Sequence, residues 1–443
     1  MNPADTIFAL ASGAGRAGVA VFRVSGEDAG LVFEKICAPA TTPAPRTASL
    51  RAITDPRTGE TIDHALVLWF PAPDSYTGEN VAEFHLHGGR AILNALIEIF
   101  RSLSHFRMAA PGEFTRRAFE NGKMDLTEAE AIADLVDAET AAQRRQALRQ
   151  LDGELGRLYN GWAERLKRSL AHIEAAIDFA DEDLPPDITE QRMADIRDLL
   201  GDIETHLNDK HRGERLREGF TVAILGPPNA GKSSLLNALA QREAAIVAPT
   251  PGTTRDIIEV HLDLAGYPVT LADTAGLRES IDAIESEGVR RALARAEQAD
   301  LKILVFDGAK WPALDEATRA LMDDNALAII NKMDLLPANV SPPPGFFLVS
   351  VLNGTGLSDL IERLIAAIDL RFANTGQPSL TRARHRAALE ECRDHLQRAI
   401  KAPQVELCAE DARLALRALG RITGYVDVED LLDVIFKDFC VGK

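Results

Sequence analysis

The sequence predicts a multidomain chain of α/β and all-α parts: an N-terminal α/β module, a helical domain in two halves, and a parallel α/β nucleotide-binding domain inserted between those halves. Three observations carry this expectation. Short β-rich runs crowd the first 118 residues, runs rich in Ala, Glu, Arg and Leu with helical spacing flank the middle, and in the middle apolar strands alternate with helices around a glycine-rich turn.

The N-terminal module, residues 1–118, holds the strand-like runs "VAVFRVSG", "HALVLWF" and "VAEFHLHGG" and one helical stretch, "AILNALIEIFRSL". Residues 119–213 form the first half of the helical domain, and Thr127-Glu-Ala-Glu130 reads as a capping box opening a helix. A Pro185-Pro186 break separates a long amphipathic run from the next helix. Strands and helices alternate over residues 214–375, interrupted by a proline-rich turn at Ser341–Gly345, and residues 376–443 return to helix.

At 443 residues the chain exceeds one ordinary core, since domains average ~100–200 residues. With 46% hydrophobic and 26% charged residues it has a globular composition. Its 49 basic and 67 acidic side chains leave a net charge of −18, which argues against broad electrostatic capture of nucleic acid while leaving room for a local basic patch. Cys37, Cys392, Cys408 and Cys440 lie far apart, which argues against a zinc site or disulfide framework and for a reducing compartment. The opening "MNPADTIFALASG" carries no basic leader, and no apolar run approaches the ~18 residues a span requires. The expectation is a cytoplasmic protein with no membrane contact.

The strongest chemical signal is "FTVAILGPPNAGKSSLLNAL". An apolar strand, Thr221–Leu225, leads into Gly226-Pro-Pro-Asn229-Ala230-Gly231-Lys232-Ser233-Ser234, which matches G-x-x-x-x-G-K-[ST] and opens a helix. Backbone N–H groups of such a loop surround phosphate oxygens, Lys232 meets the β- and γ-phosphates, and the Ser233 hydroxyl can ligate Mg²⁺. Asp273-Thr274-Ala275-Gly276 follows the strand "VTLA", placing a carboxylate near the metal. Asn331-Lys332-Met333-Asp334 follows "ALAII", and a carboxylate there accepts from guanine's ring N–H and amino group, so the nucleotide is GTP. Thr250-Pro-Gly-Thr253-Thr254 lies between these motifs, where a switch loop carries a second Mg²⁺ threonine. Leu277 stands where many GTPases have a water-orienting glutamine, so Glu279, Glu285 and Glu287 are the candidates for that task.

Other patterns carry less. Gly13-Ala-Gly15-Arg-Ala-Gly18 fits the dinucleotide glycine pattern, but a β-rich run follows where a helix is needed. His85 and His87 share a strand face without a third metal ligand, and the arginines of 144–150 suit a solvated helix.

Together, "GRAGVAVFRVSG", "SYTGEN", "HGG", "PGEFTRRAFENGKMDLTEAEA", the nucleotide motifs with "PGTTRD", and "FCVGK" identify a resemblance to the MnmE (TrmE) tRNA-modification GTPases over essentially the whole length. The resemblance implies a homodimer joined through the N-terminal modules, with G domains that meet across GTP when potassium is bound. It implies K⁺ ligands at Asn229, Ala248, Thr250 and Thr253, Mg²⁺ ligands at Ser233 and Thr254, and a water-positioning Glu285, 12 residues after Asp273. With the flavoprotein MnmG, in a heterotetramer, the family adds an aminomethyl or carboxymethylaminomethyl group to carbon 5 of a tRNA wobble uridine. The carbon comes from a tetrahydrofolate derivative, in its 5-formyl or 5,10-methylene form, held by the N-terminal module. The folate positions correspond to Arg23, Glu83, Lys123 and Lys443, with Cys440 beside the one-carbon donor as a nucleophile or a lining residue.

Ala248 stands where some members carry a polar residue, Ser350-Val351-Leu352 replaces the usual Ser-Ala-Lys, and His85 departs from the pattern beside "HGG". The rival is a ribosome-assembly or regulatory GTPase switch without chemistry of its own. Relatives of that kind carry a basic GXXG loop, whereas Gly153-Glu-Leu-Gly156 here is acidic.

Overall fold

The computed structural model describes residues 5–13, 15–178, 187–242, 245–246, 259–273, 299–337, 340–372, 378–426, 429–437 and 439–442. The chain divides into two compact units. One comprises Met1–Ala133, Gln150–Asp195 and Arg398–Lys443, the other Asp134–Arg149 and Ile196–Gln397.

The first unit is built on a seven-stranded sheet. Its strands are β1 (Thr6–Leu10), β2 (Ala17–Ser25), β3 (Cys37–Ala38), β4 (Ser49–Thr54), β5 (Thr61–Phe70), β6 (Val81–Gly88) and β7 (Phe106–Met108), in the order β3-β4-β5-β6-β2-β1-β7. Alternation sorts the side chains of β2 and β6. Phe22, Val24, Phe84 and Leu86 join Phe8 and Val67 in one core under α1 (Leu31–Ile36) and α2 (Arg90–Ser102), which contribute Phe33, Leu96 and Phe100. The opposite face carries Ile7 and Ala9 against Phe114 of α3 (Glu113–Glu120), with Tyr76 packed alongside. Arg23 and Glu83 are direct cross-strand partners of β2 and β6. The glycine-rich stretch ahead of β2 leads into a strand, as its β-rich continuation suggests.

Helix α4 (Leu126–Asp137) corrects one sequence expectation. The capping box is formed by Asp125 and Glu128: the Glu128 N–H donates to Asp125 Oδ1 at 2.9 Å, and the Asp125 N–H donates to Glu128 Oε2 at 2.7 Å. Thr127 sits inside the first turn with its hydroxyl on Asp125 Oδ1 at 2.7 Å. A carboxylate two residues upstream out-competes the hydroxyl because it accepts a charge-assisted bond at the positive end of the helix. Helices α5 (Ala141–Leu151), α6 (Glu154–Asp178), α7 (Asp187–Leu207) and α8 (Arg212–Glu218) follow.

The second unit contains another seven-stranded sheet: β8 (Phe220–Leu225), β9 (Ala245–Ile246), β10 (Glu259–Leu264), β11 (Tyr267–Asp273), β12 (Leu301–Asp307), β13 (Ala326–Asn331) and β14 (Phe346–Leu348). The order is β14-β13-β12-β8-β11-β10-β9. The strands from β14 to β11 run parallel, while β10 and β9 are antiparallel at the other edge. Central strand β8 lies between β11 and β12, so the strand order reverses there and opens a crevice beyond its C-terminal end, where open parallel sheets bind ligands. Helix α9 (Lys232–Arg242) buries Leu235, Leu236 and Leu239 against the sheet. After the single turn α10 (Glu316–Arg319) come α11 (Leu357–Phe372) and α12 (Ala383–Lys401) in this part of the chain. Helices α13 (Val405–Thr423) and α14 (Glu429–Lys437) return to the first unit, where α13 packs on α6.

Where the chain leads into and out of the second sheet, a clasp holds the two segments together. Arg386 of α12 donates to Asp209 Oδ1 at 2.7 Å and to Glu214 Oε1 at 3.1 Å, and Arg212 reaches Ser379 Oγ at 2.9 Å. Burial alone raises the Glu214 carboxyl, but the bonds from Arg386 and His211 outweigh it and hold the pKa below the usual value. Among the described residues no helix is long and apolar enough to cross a membrane.

Replacing Arg386 by Met removes the cationic partner that Asp209 and Glu214 share, leaving them, among the described residues, only their bonds to His211, and is expected to cost about 3 kcal/mol. Faster hydrogen exchange in α8 and α12 checks it. Because the Glu214 pKa is depressed, its part of the stabilisation is present at neutral pH and is lost as pH falls through the folded value. The gap between wild type and variant is therefore expected to narrow in acid.

Candidate functional sites

In the second unit, β8 runs out at Leu225 and the loop Gly226–Gly231 turns back into α9. Asn229 at the crest is left-handed, with φ 64°, and its carbonyl accepts from Lys332 Nζ at 2.8 Å. Lys232 is 8% exposed and lies over the loop, donating to the carbonyls of Gly226 at 2.8 Å and Pro227 at 2.9 Å. A cation held inside a ring of backbone groups at a helix N-terminus is built to receive phosphate. Ser233 and Ser234 follow in the first turn of α9. Asp273 ends β11 in register with Ile224, which puts it at the crevice edge.

The base side is assembled from β13 and the loop after β14. Asn331 is buried, and its side-chain N–H donates to Ala230 O at 2.9 Å while its Oδ1 accepts from the Val351 N–H at 3.2 Å. Lys332 also pairs with Asp307 Oδ2 at 2.8 Å, at the end of neighbouring β12. The Ser350 hydroxyl donates to Asp334 Oδ1, orienting that carboxylate. Leu352, next in the same loop, is 87% exposed. Asn229 and Ala230 are thus bonded to Lys332 and Asn331, Lys232 folds back on the same loop, Gly231 lies against the Asn331 amide, and Asp334 is tied to the base loop through Ser350. Sequence reasoning missed Asp307, whose only signal was an acidic residue at a strand end, and the bond by which Ser350 orients Asp334.

Ala248, Thr250, Thr253, Thr254, Thr274, Ala275, Gly276, Glu285 and Lys443 lie outside the described residues, as does the side chain of Asp273.

The first unit contains a second polar cluster. Arg23 Nε donates to Glu83 Oε1 at 2.8 Å, and the Arg23 guanidinium carbon lies 5.0 Å from the Tyr76 ring centre and 5.7 Å from that of Phe114. His85 Nε2 is 3.8 Å from Glu83 Oε2. The loop after β5 runs from beside Arg23 to Lys123. An added Cβ at Gly78 would touch the Lys123 side chain at 3.4 Å, Asn121 donates to Thr77 O at 2.8 Å, and Lys123 Nζ donates to Pro73 O at 3.0 Å.

The C-terminal stretch closes on the same unit. Phe436 and Phe439 pack with Leu126 and Ala129, Val441 makes an antiparallel bridge to Pro111, and the Gly112 N–H donates to Cys440 O at 3.4 Å. Gly442 has φ 98°, and a Cβ there would lie 2.1 Å from Leu10 O, so only glycine fits. Burial pushes the Cys37 and Cys392 thiols up to about 12 and raises Cys408, leaving them inert, whereas Cys440 is exposed.

The first cluster defines a guanine-nucleotide-binding P-loop domain, with a lysine-lined phosphate loop bonded directly to a base site. Two family models cover most of the chain: the GTP-binding protein TrmE N-terminus over residues 6–123 and the MnmE helical domain over residues 126–440. A tRNA modification GTPase MnmE of Paramagnetospirillum magneticum is 56% identical, spanning 99% of this chain and 100% of its own. The Parvibaculum lavamentivorans protein of the same name is 54% identical over the same shares. The human mitochondrial 5-taurinomethyluridine-tRNA synthase subunit GTPB3 is 48% identical, covering 99% of this chain and 93% of its own. The chain belongs to the MnmE family of tRNA-modification GTPases.

Gly231 sets the tightest constraint in the nucleotide cluster: a Cβ there would lie 2.2 Å from Asn331 Nδ2, at a backbone φ of 94°. Gly231→Ala is expected to displace Asn331 from both the loop and the base site and to weaken GTP binding by at least ~100-fold, from lost bonds together with backbone strain. Titration with a fluorescent GTP analogue measures this.

Proposed function

We propose that this chain hydrolyses GTP in a potassium-activated manner and, with the flavoprotein MnmG, adds an aminomethyl or carboxymethylaminomethyl group to carbon 5 of the wobble uridine of certain tRNAs. The carbon comes from a tetrahydrofolate derivative held by the first unit. The observation that carries the reading is the coexistence of two separately built polar sites. A regulatory switch needs the guanine site alone and has no use for an Arg23–Glu83 pair on the first unit's sheet, nor for an exposed cysteine on a glycine-fitted strap that docks against β1 of the same unit. The names of the relatives, which couple GTPase with tRNA modification, support the same reading.

In the G domain Lys232 neutralises the β- and γ-phosphates, and Asp334, aimed by Ser350, accepts from guanine. Ser233, Thr254 and Asp273 would hold Mg²⁺ directly or through water. Asn229, on the crest of the loop, would hold K⁺ together with Ala248, Thr250 and Thr253, and that ion supplies the charge an arginine finger supplies elsewhere. Glu285 positions the attacking water. In the first unit Arg23, Glu83, Lys123 and Lys443 would hold the folate. The cluster suits such a ligand, because a guanidinium whose terminal nitrogens have no bonded partner among the described residues lies beside a carboxylate, offering donors and an acceptor together. Cys440 either adds to the uridine ring or lines the pocket. The working assembly is a cytoplasmic homodimer joined with MnmG in a heterotetramer.

Potassium dependence is the direct test of the hydrolytic half. GTP turnover is expected to be at least ~10-fold faster in K⁺ than in Na⁺ at matched ionic strength, within the span an arginine-type charge supplies. Equal rates reject potassium activation.

Gly442→Ala tests the other half. With Leu10 O only 2.1 Å from the new Cβ, the strap carrying Cys440 must lift off β1. Expected is loss of modified wobble uridine when the variant replaces the wild-type chain in a deletion strain, while the purified protein still turns over GTP. Normal uridine modification by this variant excludes the strap from the modification site.

A further inference from the structure

We infer that Tyr76 is a positioning residue of the first unit's site, holding the Arg23 guanidinium so that its two terminal nitrogens face the ligand. The inference rests on the folate reading above. Among the described residues the Arg23 side chain has one hydrogen-bonded partner, Glu83 on Nε, and a single bond leaves the group free to swing about it. Tyr76 removes that freedom. Its ring lies under the guanidinium at 5.0 Å, with Phe114 at 5.7 Å completing an aromatic corner, so the cation is attracted to a fixed surface.

The tyrosine is itself immobilised. Its hydroxyl is 2.8 Å from Thr115 Oγ1, and burial raises its pKa, which keeps it neutral and able to donate. The loop that carries it is pinned on both sides. Thr77 is fully buried with its hydroxyl 2.7 Å from Ser25 Oγ, and Glu79 takes bonds from Ser25 at 2.7 Å and from Arg117 at 3.0 Å. The same loop touches Lys123 at Gly78, so one rigid segment sets the spacing between two cationic groups of the site. Residues in the ligand's reach therefore depend on a ring that need not touch the ligand at all.

The full-length chain with 5-formyltetrahydrofolate as the probe tests this by calorimetric titration of wild type, Tyr76→Phe, Tyr76→Leu and Arg23→Ala. Tyr76→Phe keeps the ring and is expected to bind within about twofold of wild type. Tyr76→Leu is expected to weaken binding roughly tenfold, the size of a desolvated cation–π contact, and Arg23→Ala to abolish it. A second readout needs no folate: the rate at which phenylglyoxal labels Arg23, followed by mass spectrometry, should be low in wild type and Tyr76→Phe and several-fold higher in Tyr76→Leu.

Rescue by phenylalanine in both readouts separates ring placement from general loss of packing. Wild-type affinity in Tyr76→Leu, or equal losses in the Phe and Leu variants, overturns the inference while the folate reading stands. No binding by wild type, with labelling still governed by the ring, overturns the folate reading and supports the clamp on Arg23.

Discussion

One buried amide ties the nucleotide domain together. Asn331 is bonded through Nδ2 to the phosphate loop at Ala230 and through Oδ1 to the base loop at Val351. It ends β13, one strand beyond β12, and reaches the loop that leaves β8. The two halves of a nucleotide site are thus set at a fixed distance by one side chain, which has little freedom because both of its polar ends are satisfied in a dry setting. Lys332 adds a second tie, from Asp307 to the carbonyl of Asn229. The left-handed turn at Asn229 persists because its carbonyl is held in this way.

The first unit solves a different problem, that of exposing polar groups on a sheet without losing their geometry. Its answer is cross-strand pairing. Arg23 and Glu83 face each other because β2 and β6 are antiparallel in that register, and a slip of either strand by one residue would turn its member of the pair into the phenylalanine core on the other side. Thr77, Ser25, Glu79 and Arg117 then pin the loop above them with a closed set of bonds. Rigidity here comes from satisfied polar groups at the end of a sheet, and the hydrophobic core lies on the opposite face.

What could be read from the sequence follows the range of the interactions. The phosphate loop was legible because strand, glycines, lysine and helix are contiguous, and the guanine motif because its residues sit at a strand end. The bond from Ser350 to Asp334 and the pairing of Asp307 with Lys332 depend on which strands become neighbours, and nothing local announces that. Tyr76 stood within a quoted motif, yet its task depends on Arg23, which the antiparallel pairing of β2 and β6 brings to it. The error at α4 was of another kind. Two residues, Asp125 and Thr127, could each have capped the helix, and a rule that matches threonine and glutamate does not weigh them against an aspartate two positions earlier.

The strand bridge between Pro111 and Val441 has a consequence for the life of the chain on the ribosome. Synthesis is directional and domains generally fold as they emerge. The first sheet and the G domain can therefore both be built while the strap beside β1 does not yet exist. A polypeptide that stalls or is clipped late keeps a nucleotide-binding fold yet presents Pro111 and Leu10 uncovered. Closure of the first unit thus waits on a segment more than 300 residues further along the chain, and the exposed cysteine takes its place only as that segment docks.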